Sequence, residues 1–188
     1  LVYPCACSRK EIADSSIMGI SGPVYPGTCR NHLPQGKKSY AMRIRVSDEI
    51  ILFQDRIKGE YSQTLSSDIG DFVLRRADGI FAYQLAVVVD DAMQHITHVV
   101  RGADLLDSTP RQIFLQRALD YPTPEYMHLP VVTNLQGEKL SKQTNAIPID
   151  VKDALPLLVK ALHCLGQRPP AELLQGDVSS FWQWAKQN

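Results

Sequence analysis

Three of the four cysteines, Cys5, Cys7 and Cys29, crowd into a stretch with little else to hold it together. Residues 1 to about 40 are rich in Gly, Pro and Ser and show little hydrophobic periodicity, so this part needs a staple beyond burial. Cys5-Ala6-Cys7 brings two thiolates to one turn, and Cys29 returns a third after a long loop. In a core-poor unit that spacing favours tetrahedral Zn²⁺. For the fourth ligand, donor chemistry favours His32, three positions after Cys29. Tyr25, four positions before it, is a poor donor unless a metal lowers its phenol pKa from about 10. The competing reading is a set of buried thiols without metal. A closed four-ligand site is structural, because it leaves no position for substrate. Cys164 lies in an apolar helical segment, so the cysteines do not form a disulfide framework, and a reduced, cytoplasmic setting is expected.

The remainder is long enough for one good core with a small satellite: 188 residues, 44% hydrophobic and 21% charged, an ordinary globular composition. No apolar run approaches the ~20 residues of a membrane helix, and LVYPCACSRK is not a signal peptide. The net charge of zero does not announce a nucleic-acid partner. The chain opens on Leu1 and already carries a ligand-like cysteine pair, so it is expected to be part of a longer protein.

Between Tyr40 and Asp71 the alternation in Ala41–Val46 and Glu49–Asp55 predicts two or three antiparallel strands. From Asp71 the texture changes. Phe72 to Arg76 reads as a strand and Ala77-Asp78-Gly79 as a turn. Leu85 to Val89 is a continuous β-branched run ending in Asp90-Asp91, which predicts a strand buried on both faces of a parallel sheet. Ile96 to Val100 predicts another strand. Thr109 as N-cap, Pro110 in the first turn and Gln112 closing a capping box predict a helix that stops near Tyr121-Pro122. The order points to an α/β layer. The tail reads as helices: one capped by Asp153 and ended by Gly166, a second after Pro170, a third after Asp177.

The chemistry-bearing stretch of this tail is Gly137-Glu138-Lys139-Leu140-Ser141-Lys142-Gln143, after the apolar run His128 to Val132. Two cations flanking a hydroxyl on a short loop suit the spreading negative charge of polyphosphate oxygens during nucleotidyl transfer. The loop resembles, as KLSKQ, the second signature of class I aminoacyl-tRNA synthetases.

That loop, together with YPCACSR, YPGTCR, PEYMHLPVV and the block from Gly70 to Leu119, identifies the chain as resembling the glutamyl-Q tRNA(Asp) synthetases, shortened relatives of glutamyl-tRNA synthetase. The resemblance runs from Val2 to Ala146. It implies the C-terminal part of a class I Rossmann-like catalytic domain, with a zinc-stapled insertion at 1–70, the second half of the nucleotide-binding fold at 71–135, and the KLSKQ loop with a helical tail at 136–188. It places the metal on Cys5, Cys7, Tyr25 and Cys29, preferring Tyr25 to His32. Tyr83 and Arg101 would contact L-glutamate; Lys139, Ser141 and Lys142 would meet ATP with its Mg²⁺, Lys142 as the catalytic cation. Arg101, at the C-terminal end of its expected strand, stands where ligands bind in open α/β sheets and can fork a carboxylate. Tyr83 is expected to enter the preceding strand. Asp104 could orient Arg101 or cap a turn, Asp90 and Asp91 are strand-end caps or positioning groups, and His95 and His98 read as structural or solvated.

The implied activity is ATP-dependent activation of glutamate and its esterification to queuosine in the anticodon of tRNA(Asp), by a monomeric ligase with no membrane contact. The family's first signature, an H-x-G-H-type motif, is missing from this sequence, which is therefore expected to be inactive alone. Two alternatives stand beside this reading: a fragment of a glutamyl-tRNA synthetase charging tRNA(Glu), or a non-catalytic zinc-stapled RNA-binding module.

Overall fold

The computed structural model describes residues 1–15, 17–20, 22–32, 40–141 and 146–188. In chain order its elements begin with β1 (Val2–Cys5), α1 (Arg9–Ser15), β2 (Met18–Gly19), β3 (Gly22–Pro23), β4 (Ala41–Ile44), β5 (Ile50–Asp55), β6 (Gly59–Thr64) and α2 (Leu65–Asp68). They continue with β7 (Phe72–Arg75), α3 (Tyr83–Met93), β8 (His98–Gly102), α4 (Thr109–Ala118), β9 (Glu125–Leu129), α5 (Ala154–Cys164) and α6 (Val178–Ala185). Two compact units divide between His128 and Leu129.

Among the described residues the first unit holds three sheets. β1, β4 and β7 pair antiparallel in the order β1-β4-β7; β2 and β3 form a short ribbon. The third sheet runs β6-β5-β9-β8, with β5 antiparallel to β6 and parallel to β9. Mixed pairing follows from local chemistry. The turn from β5 to β6 is tight because the Asp55 carboxylate accepts the Ile57 and Lys58 N–H groups (3.0 and 2.8 Å), and Gly59 takes the positive φ of 79° that closes it. The return to β9 comes from far along the chain, so it can run parallel.

The core of this unit gathers Ile44, Ile51, Leu65, Phe72, Leu74, Val88, Ile113, Leu115 and Tyr126, from both larger sheets and from α2, α3 and α4. Losing one such side chain, as in Ile113→Ala, should cost about 2–5 kcal/mol.

The structure corrects one element outright. Leu85–Val89 is not a strand but the middle of the helix α3, and Asp90 and Asp91 lie in that helix rather than at a strand end. A continuous apolar run carries no period, so its length and flanks must decide. Here eleven residues between Gly79 and Gln94 exceed an ordinary strand. Val88 is buried in the core and Leu85 and Val87 pack against it, so one side of the turn faces inward as helical spacing requires. The β-branched residues cost only a few tenths of a kcal/mol each in a helix, which packing Val88 at 2% exposure readily offsets.

Two smaller differences concern α4. Pro110 sits at its start as expected, but Thr109 makes no side-chain cap; its hydroxyl is spent elsewhere. The Gln112 amide donates to Gln84 Oε1 on α3 (2.9 Å) instead of closing a capping box. β8 begins two residues later than Ile96, which leaves Arg101 inside the strand near its end.

The second unit begins with the hairpin that presents Lys139 and follows it with helices. Leu155, Leu158, Val159, Leu162, Leu173, Phe181 and Trp184 form its apolar cluster. Gly166 ends α5 at φ 78°, and Asp177 with Ser180 makes a complete capping box on α6. No helix among the described residues is long and apolar enough to cross a membrane.

Candidate functional site

Two clusters carry chemistry in the first unit. The first lies where β1 ends. The Cys5, Cys7 and Cys29 sulfurs all fall within 4.8 Å of one another, and Cys7 and Cys29 stand 3.6 Å apart. Tyr25 Oη lies 3.3 Å from the Cys5 sulfur and 3.8 Å from that of Cys7, and it accepts the Cys29 N–H at 2.8 Å. His32 is exposed and not part of this group.

A tetrahedral zinc with Zn–S near 2.3 Å requires sulfurs about 3.8 Å apart and sulfur–oxygen distances of about 3.5 Å. Three thiols and one phenol at these separations fit that donor set. Tyr25 reaches them because Gly70, at φ 74°, pairs with it in an isolated bridge; a Cβ at Gly70 would stand 2.8 Å from the Tyr25 nitrogen. Arg43 lies over the Tyr25 ring at 4.0 Å.

Burial pushes the Cys7 thiol up to about 11, helped by the Cys29 sulfur, and burial together with the Cys5 and Cys29 contacts raises the Tyr25 phenol far above its ordinary value. For Cys5 burial acts upward too, yet the contacts from Tyr25, the Cys7 backbone and Arg43 outweigh it and bring the thiol below its usual value. A metal binding here would displace protons from thiols and phenol, so its affinity would rise with pH.

The second cluster centres on Arg101, near the end of β8. Its Nε donates to His128 Nε2 (3.0 Å) and its Nη2 to Thr109 Oγ1 (2.8 Å), with Leu105 O at a weaker 3.5 Å. His128 Nδ1 stands 2.6 Å from Asp55 Oδ2, and both side chains are fully buried. The guanidinium lies 5.4 Å from the Tyr126 ring centre. Burial raises the Tyr126 phenol, opposed by the Gln116 hydrogen bond and the Arg101 charge; Asp91 and Tyr83 also lie within its electrostatic reach. Burial likewise raises the Asp91 carboxyl, against the Arg101 charge.

Tyr83 is therefore in the same neighbourhood as Arg101, but as the first residue of α3 and half exposed, not on a strand. Asp104 sits in the first turn of the 3₁₀ helix Ala103–Ser108. His95 and His98 are exposed.

His128 and Asp55 carry no role in the sequence reading. The available signal was a histidine inside the otherwise apolar stretch Tyr126–Val132 and an aspartate closing the apolar run Ile50–Phe53. Polar groups in such runs are buried only with partners.

In the second unit the KLSKQ stretch begins as a hairpin. Leu140 N–H donates to Val132 O (2.9 Å), and Thr133 bridges Lys139. Asn134 holds the turn by accepting the Gln136 and Glu138 N–H groups, while Gly137 adopts φ 81°. Lys139 is exposed and Ser141 partly buried. Lys142, expected as the catalytic cation, lies outside the described residues.

Residues 26–166 match the family described as tRNA synthetases class I (E and Q), catalytic domain. The chain is 57% identical over 187 residues to a glutamyl-Q tRNA(Asp) synthetase of Dechloromonas aromatica, covering 98% of this chain and 62% of that protein. It is 53% identical to one of Aromatoleum aromaticum, covering 98% and 58%. Among solved structures it is similar to the glutamate-tRNA synthetase of Elizabethkingia anophelis, with TM-score 0.61 and 27% identity over 76% of this chain and 32% of that one. A glutamate tRNA ligase of Elizabethkingia meningosepticum, in complex with its amino acid, gives TM-score 0.62 and 26% identity over 79% and 34%. The chain thus spans about three fifths of the curated relatives' length. Mixed α/β architecture and sequence agree, and the chain belongs to the class I tRNA synthetases of the E and Q group, through their catalytic domain.

Proposed function

We propose that the protein carrying this chain is a glutamyl-Q tRNA(Asp) synthetase. It activates L-glutamate with ATP and esterifies it to queuosine in the anticodon of tRNA(Asp). In the first step a glutamate carboxylate oxygen attacks the α-phosphorus of ATP and pyrophosphate leaves. In the second, a hydroxyl of the queuosine cyclopentene-diol attacks the acyl carbon, AMP leaves, and the hydroxyl proton passes to solvent.

The observation that carries this reading is the 57% identity along 98% of the chain with a relative of that name. It far exceeds the 26–27% shared with the glutamate-tRNA synthetase structures.

The roles follow the chemistry available. Arg101 grips a carboxylate of glutamate, and Tyr83 offers its hydroxyl to the amino-acid head group. Lys139, Ser141 and Lys142 neutralise the phosphates of Mg²⁺-bound ATP, Lys142 most at the transition state. Cys5, Cys7, Tyr25 and Cys29 hold a structural Zn²⁺, which when bound supplies a fixed tetrahedral crosslink and no chemistry on substrate.

The decisive experiment is acid-labile glutamylation of queuosine-containing tRNA(Asp), set against tRNA(Asp) lacking the modification. Glutamylation of both, or of tRNA(Glu) instead, would remove this reading. Within it, Lys142→Ala should chiefly slow ATP–pyrophosphate exchange and Arg101→Ala chiefly weaken glutamate use. Equal activity in both variants would remove the site assignment.

A further inference from the structure

A guanidinium has two edges that can receive a carboxylate: Nε with Nη2, and Nη1 with Nη2. Here the first edge is taken, because Nε donates to His128 and Nη2 to Thr109. Among the described residues Nη1 has no hydrogen-bond partner, and the second Nη2 proton meets only Leu105 O at 3.5 Å.

The geometry also fixes the tautomer of His128. Arginine only donates, so His128 Nε2 accepts and its proton resides on Nδ1, facing Asp55 Oδ2 at 2.6 Å. Asp55 cannot turn away, since its other oxygen accepts the Ile57 and Lys58 N–H groups of the β5–β6 turn.

We infer that Asp55, His128 and Thr109 are positioning residues that lock the Nε–Nη2 edge of Arg101 and leave the Nη1–Nη2 edge for the substrate carboxylate. This rests on the reading of Arg101 as the glutamate-binding cation. The coupling from Asp55 to Arg101 runs through a proton. Asp55 acts on glutamate only by keeping His128 Nε2 an acceptor. Asp55→Asn retains the oxygen that serves the turn but places an N–H opposite His128 Nδ1. The imidazole proton then moves to Nε2, where it opposes the Arg101 Nε–H. The same logic of tautomer control by a buried aspartate operates in serine-protease triads.

The test combines kinetics of the complete protein with nitrogen NMR of its histidines. For Asp55→Asn the glutamate KM should rise about ten-fold or more while the ATP KM stays within about two-fold, the signature of a lost glutamate contact. In the wild type His128 Nε2 should resonate as the unprotonated nitrogen, and in Asp55→Asn as the protonated one. At Thr109 the two conservative variants separate positioning from packing. Thr109→Ser keeps the hydroxyl and should keep the glutamate KM; Thr109→Val keeps the volume and should raise it. The reverse order, or a protonated Nε2 in the wild type, overturns the inference. So does a flipped tautomer with an unchanged glutamate KM. The wild-type NMR measurement decides even where a variant fails to fold. If Arg101→Lys leaves glutamate use unchanged, the assignment of Arg101 itself fails, and the positioning role goes with it.

Discussion

The first unit contains two buried aspartates, and they are used in opposite ways. Asp71 is enclosed on every side: Arg30 forks its two oxygens (2.6 and 2.8 Å), Tyr3 donates to Oδ2, and the Val46 N–H donates to Oδ1. Tyr3 and Arg30 come from beside the cysteine cluster and the Val46 N–H from the main core, so the network closes on itself. Asp55 is equally buried, but its network is a line. Two backbone N–H groups and His128 satisfy it, and beyond His128 stands Arg101 with one edge open. A closed network can only stabilise. An open line delivers a group to something outside it, and the two should therefore respond differently to the same kind of substitution.

The largest effect is expected where the closed network meets the cysteines. Removing metal with a chelator should expose segment 1–32 to hydrogen exchange, because structural zinc in small domains contributes on the order of 10 kcal/mol. Metal analysis should find one Zn²⁺ per chain, lost in Cys29→Ser. Unchanged protection in a demonstrably zinc-free protein would break the comparison by showing that the cluster needs no ion. Next comes Asp71→Ala, which strands Arg30 and Tyr3 and should cost about 3–5 kcal/mol in denaturant unfolding. Any loss of activity there should track the loss of folded protein, with the glutamate KM of the folded fraction unchanged.

How much of this was visible beforehand differs between the two networks. The cysteines announce themselves by spacing, and Tyr25 is preferred to His32 only through resemblance because its phenol is an unusual ligand. The strands Ala41–Ile44, Ile50–Asp55 and Gly59–Thr64, the proline at the start of α4, the stop at Gly166 and the cap at Asp177 are local signals with local causes. What escaped depends on distance. His128 and Asp55 stand 73 residues apart in sequence, and no periodicity connects them. Thr109 looked like an N-cap because a hydroxyl before Pro110 normally is one; the structure spends it on Arg101. Leu85–Val89 escaped for a different reason. Its uniform apolar character encodes burial but no geometry, and only the partners Gln84 and Gln112 show that helix faces helix.

A middle-sized effect tests the open end of the line. Arg101→Lys keeps the charge and loses the planar fork, so the glutamate KM should rise about a hundred-fold, with a stability loss of only about 1–3 kcal/mol from the donor taken from buried His128. A collapse in stability comparable with that of Asp71→Ala would mean that Arg101, too, is a closed structural group.

The smallest expected effect concerns pH. Burial alone would raise the Asp55 carboxyl, but the N–H groups of Lys58 and Ile57 and the His128 contact outweigh it and hold it at about 2. A depressed carboxyl stabilises the fold above its ordinary value of about 4, and that contribution is withdrawn as pH falls through about 2. It amounts to about 2 kcal/mol. Wild type should therefore exceed Asp55→Asn in unfolding free energy at neutral pH, with the gap closing on acidification. Asp71 is also held low, by Arg30, Tyr3 and the Val46 N–H against its burial, so both proteins keep a residual acid slope. A gap that stays constant down to low pH would show that Asp55 contributes by shape alone. His128 would then lose the anion that fixes its proton, and the line would no longer differ in kind from the ring.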